Sequence, residues 1–72
     1  MQRWEYLFVE AHIQPPSAQH VVRINSDIQT ERPNLWEYLT KVGEEGWELV
    51  NAYNNSLSER NRDYFIFKRL KG

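Results

Sequence analysis

The side chains able to do chemistry are few. Ser17, Ser26, Ser56 and Ser58 are the available serine nucleophiles, and none stands in the Gly-x-Ser-x-Gly setting that strains a strand-to-helix turn and exposes the hydroxyl. His12 and His20 lie eight residues apart across a proline-containing link. That is no helical metal spacing, although neighbouring strands could bring the two rings together. Glu44, Glu45 and Glu48 could furnish a carboxylate pair for acid and base work, but a helix end followed by a strand start is an ordinary place for solvated charge. Gly43 and Gly46 follow a helical pattern, so the backbone there presents carbonyl oxygens beside acidic residues and repels phosphate. Tyr6, Phe8, Phe65 and Phe67 with Arg69 and Lys71 have the residue types of a stacking platform for single-stranded nucleic acid. The RNA-recognition architecture needs two helices, and the pattern provides one. The expectation is a protein without catalysis, metal or cofactor, with nucleic acid ranked low.

The elements that hold these residues follow from periodicity. Arg3 to Ala11 alternates Trp4, Tyr6 and Phe8 with Glu5, Leu7 and Val9, a period-2 strand with both faces apolar. Gln14 to Gln19 holds Pro15 and Pro16 and reads as an extended link, and His20 to Asn25 as a second, shorter strand. Ser26 to Pro33 is polar, keeps no period and reads as a loop. Asn34 is the expected N-cap of the helix, with Glu37 three residues on as its capping-box partner. At about 100° per residue, Leu35, Tyr38, Leu39 and Val42 share one face. Either Gly43 or Gly46 could close the helix in the left-handed conformation, and Gly46 is the favoured cap. Trp47 to Tyr53 reads as a third strand, Asn54 to Arg62 as a long polar loop, and Asp63 to Leu70 as a fourth strand, again apolar on both sides.

Composition bounds what this can be. The chain has 72 residues, 9 basic and 10 acidic side chains and no cysteine, so it reads as one small domain, residues 1 to 72, with neither disulfides nor thiolate zinc to brace it. Oligomerisation is the remaining brace. Positive charge gathers at Arg60, Arg62, Lys68, Arg69 and Lys71, and negative charge at Glu31, Glu37, Glu44, Glu45 and Glu48. The near balance falls short of the strongly basic surface that nonspecific nucleic-acid binding requires. No apolar run approaches the roughly 20 residues that span a bilayer, and Met1 to Tyr6 does not read as a signal peptide. A cytoplasmic protein with no membrane partner is expected.

Trp4-Glu5-Tyr6, then Gly43-Glu44-Glu45-Gly46-Trp47-Glu48-Leu49-Val50, then Phe67-Lys68-Arg69, stand in an order that resembles a family of short bacterial proteins, domain of unknown function 4177. The resemblance spans essentially the whole chain, and departs from it at Pro15-Pro16 and in the Asn54 to Arg62 loop. It implies a small domain of strands and helix and no established activity. The residues give the motif a structural meaning: Gly46 reverses the chain, Trp47 drops its ring beside the helix, and Leu49 continues that face.

The expected fold is α+β, a four-stranded antiparallel sheet with one helix on one face in the chain order ββαββ. Leu35, Leu39, Val42, Trp47 and Leu49 are the expected helix-facing core. One helix about 10 Å wide leaves apolar bulk on strands 1 and 4 uncovered. The expected function is therefore a homodimerising interaction module, with Tyr6, Phe8, Phe65 and Phe67 as the expected interface. A binding module for a small apolar ligand or a peptide is the alternative, and single-stranded nucleic-acid binding comes third.

Overall fold

The computed structural model describes residues 2–13, 19–55 and 62–71. The elements are β1 (Trp4–His12), β2 (His20–Ile24), β3 (Asp27–Ile28), α1 (Leu35–Glu44), β4 (Glu48–Asn55) and β5 (Arg62–Leu70). They form an α+β fold whose antiparallel sheet has five strands, not four, in the order β3-β2-β1-β5-β4. The chain order is accordingly βββαββ. The added strand lies in the segment expected to be a loop. Asn25 takes a left-handed φ of 54°, which an asparagine tolerates, and the chain reverses so that Ile24 pairs with Asp27 and Arg23 with Ile28. Asn25 is tied to β1 twice: its N–H donates to the Phe8 carbonyl at 2.7 Å, and its side-chain oxygen accepts from the Phe8 N–H at 3.0 Å.

The helix begins at the expected cap, Asn34, and ends at the expected glycine, Gly46. Asn34 Oδ1 accepts from the Glu37 N–H at 3.0 Å, satisfying a donor that the first turn leaves free. At the other end Gly46 has φ 90°, the Gly46 N–H donates to the Gly43 carbonyl and the Trp47 N–H to the Val42 carbonyl, both at 3.1 Å. That double bond pattern is a Schellman closure with Gly46 in the left-handed position, so Gly43 lies inside the helix.

The core consists of Leu7, Val9 and Ala11 from β1, Val21 from β2, Phe67 from β5, and Leu35 and Val42 from α1. Tyr38, Leu39, Trp47, Phe65, Ile13 and Ile24 pack around it, half-buried. No β4 residue belongs to this cluster, and Leu49 is 53% exposed, contrary to the expected core. The reason is placement: α1 packs against β2, while β4 is the far edge of the sheet.

The central pair settles which face is which. Leu7 lies opposite Phe67 and Val9 opposite Phe65, and directly opposed residues of an antiparallel pair share a face. Phe65 and Phe67 therefore stand on the helix side. Tyr6 and Phe8, opposite Lys68 and Ile66, stand on the other side. The four aromatics expected to make one interface are divided between core and surface, since strand periodicity places neighbours 65 and 66, or 7 and 8, on opposite faces. The expected Asn54 to Arg62 loop is shortened at both ends by β4 and β5; Ser17, Ser56, Ser58 and most of the proline link lie outside the described residues.

Candidate functional site

The face of the sheet turned away from α1 is the largest feature with functional potential. Strand alternation places Trp4, Tyr6, Phe8, Glu10 and His12 of β1 there, with Arg62, Tyr64, Ile66, Lys68 and Leu70 of β5. From β4 come Glu48, Asn51 and Tyr53, whose partners are Lys68, Ile66 and Tyr64. From the other edge come His20, Arg23 and Ile28.

Aromatic rings form a continuous row from the central strands β1 and β5 to the edge strand β4. Phe8 and Tyr64 have centroids 5.5 Å apart, and Tyr64 and Tyr53 stack at 4.9 Å with 20° between planes. Such spacing is that of favourable ring pairs. Around the row, Tyr6 is 62% exposed, Ile28 65% and Leu70 54%. Polar pairs rim it. Lys68 Nζ sits 4.4 Å above the Trp4 ring, and Arg62 Nε lies 3.5 Å from Glu10 Oε2 while its terminal nitrogen donates to His12 Nδ1.

The remaining candidates separate. His12 and His20 are indeed brought together by strand pairing, with ring centroids 5.4 Å apart. Among the described residues no three metal-ligating side chains converge. Glu44, Glu45 and Glu48 are all exposed. Glu45 contributes its backbone carbonyl, which accepts from Arg69 at 2.9 Å. Arg69 also pairs with Glu5 and lies 4.2 Å over the Trp47 ring. Gly46, Trp47 and Arg69 thus lock the helix end to the β1–β5 pair, which is structural work. Burial raises the Tyr38 phenol above the usual value of 10.0, and the Glu45 carboxylate raises it further.

Tyr53, Tyr64, Ile66 and Ile28 are the surface residues that sequence reasoning missed. A signal existed in the choice of side chain. Leu7, Val9 and Ala11 are purely aliphatic, and Phe65 and Phe67 lack the hydroxyl that Tyr6, Tyr53 and Tyr64 carry; a phenol needs a polar partner if buried, so tyrosine marks the wetter face. No family model matches this chain, and neither a curated protein nor a solved structure does.

Proposed function

We propose that this chain is a non-catalytic interaction module that forms a symmetric homodimer through the open face of its sheet. The observation that carries the reading is the row Phe8, Tyr64 and Tyr53 flanked by exposed Tyr6, Leu70 and Ile28. Aromatic residues at the centre with charged pairs at the rim are the composition of a protein interface. A second copy offers the same aromatic row, so the surface is its own complement.

The motif likeness to the bacterial family 4177 accords with a small domain of strands and helix and adds no activity. In this reading the module works in the cytoplasm; among the described residues no helix is long and apolar enough to cross a membrane.

Light scattering on the double variant Tyr6→Glu, Tyr53→Glu tests the surface. Both side chains are largely exposed, so the variant keeps its fold while two buried carboxylates per copy oppose pairing. The wild-type chain at tens of micromolar is expected to run as a dimer and the variant as a monomer. A dimer in both places the interface elsewhere. A monomeric wild type overturns self-association and moves the face to the small-ligand or peptide class, where Trp4 emission would respond to the ligand.

A further inference from the structure

At the β2–β3 margin of the open face lies a second, chemically distinct feature. A groove of about 340 Å³ has Val22 and Ile28 as an apolar floor, with His20, Arg32 and Arg62 around it and Gln29 at its end. Its volume falls at the lower end of the ~300–1,000 Å³ typical of small-molecule sites. The two arginines come from different elements, the β3–α1 connection and the start of β5, and the sheet pairing brings them to one cavity.

Both are held in ways that suit a ligand. The Arg62 side chain is only 18% exposed, and its ion pair with Glu10 and hydrogen bond to His12 hold the guanidinium in place while leaving further N–H donors. Arg32 has a left-handed φ of 52°. That conformation is costly for a long side chain without the local hydrogen bonding of asparagine, and glycine would adopt it freely. The residue closes a turn in which its own N–H donates to the Gln29 carbonyl at 3.4 Å, and its exposed side chain lies outside the core. Planar guanidinium groups match a carboxylate in a two-point fashion, and the Val22–Ile28 floor suits an aliphatic body more than a fully hydrated anion.

We infer that this groove binds a small monocarboxylate with a short aliphatic body, its carboxylate between Arg32 and Arg62 and its chain on Val22 and Ile28. The site adjoins the aromatic row and shares Ile28 and Arg62 with the margin of the proposed dimer face.

Titrating the full-length, nitrogen-15-labelled chain with sodium hexanoate tests it. The amides of Val22 and of Gln29 through Arg32 are expected to shift and saturate in the millimolar range. Hexanol and inorganic phosphate at the same concentrations are expected to leave them in place. Arg32→Gly removes the guanidinium while suiting the observed backbone, so it is expected to raise the melting temperature and to weaken hexanoate about tenfold or more. Arg62→Gln is expected to weaken it similarly. No saturable shift with hexanoate, an equal response to phosphate, or unchanged affinity in a folded Arg32→Gly variant would each overturn the assignment.

Discussion

Two glycines three residues apart do opposite things in this chain, and the difference is one of backbone angle alone. Gly46 has φ 90° and closes the helix, whereas Gly43 sits within it with nothing inside 4 Å of where a Cβ would be. Gly43→Ala is therefore expected to stabilise the protein by about 1 kcal/mol, through helix propensity, and Gly46→Ala to destabilise it by about 1 to 2 kcal/mol, through left-handed strain. Urea midpoints of the two variants check this, and equal signs would place the closure elsewhere. Tyr38 gives the residue scale a pH dependence. Its folded ionisation lies above the unfolded value of 10.0, so the neutral phenol's contribution is complete below that value and is lost as pH rises through the folded one. Tyr38→Phe is expected to flatten the loss of stability on that alkaline side, as read by unfolding curves at several pH values. An unchanged alkaline slope would assign the loss to other groups.

At the scale of elements, the reading of the helix from sequence succeeded because its information is local. Asn34 caps it, Leu35 and Val42 fill its buried stripe, and Gly46 stops it, all within thirteen residues of one another. Strand faces were not legible in the same way. β1 carries Leu7, Val9 and Ala11 on one side and Trp4, Tyr6 and Phe8 on the other, so binary hydropathy cannot tell core from surface. The pairing of β1 with β5 joins the two ends of the chain, and no local pattern announces a contact of that separation. β3 has two residues, too short for any period to show, and only the turn-forming Asn25 hinted at it. The assignment of faces has a direct energetic consequence. Phe67 is 6% exposed and Leu49 53%, although they face each other across β5 and β4. Phe67→Ala is expected to cost about 3 to 5 kcal/mol, and Leu49→Ala to change stability by no more than about 0.5 kcal/mol. Comparable losses at the two positions, measured by chemical denaturation, would mean that the helix covers β4 after all.

On the scale of the molecule, the fold is a sheet wider than α1, which covers part of one face. Core residues come from β1, β2, β5 and α1, and the aromatic row across β1, β5 and β4 stands on the opposite side with no element of this chain among the described residues laid over it. A chain of this length has little stability to spare, and burying exposed rings such as Tyr6 and Tyr53 against a second copy supplies apolar contact worth roughly 1.5 to 3 kcal/mol per large side chain. The open face is half legible in the sequence: Tyr6 and Phe8 belong to it, whereas Phe65 and Phe67 lie on the helix side, a parity relative to β1 that no local pattern gives. Sedimentation equilibrium on the unmodified protein over a range of micromolar concentrations is the direct test of this architecture. The account predicts a mass that rises with concentration to about twice the chain's 8.7 kDa and stops there. A mass that stays at one chain throughout would contradict it.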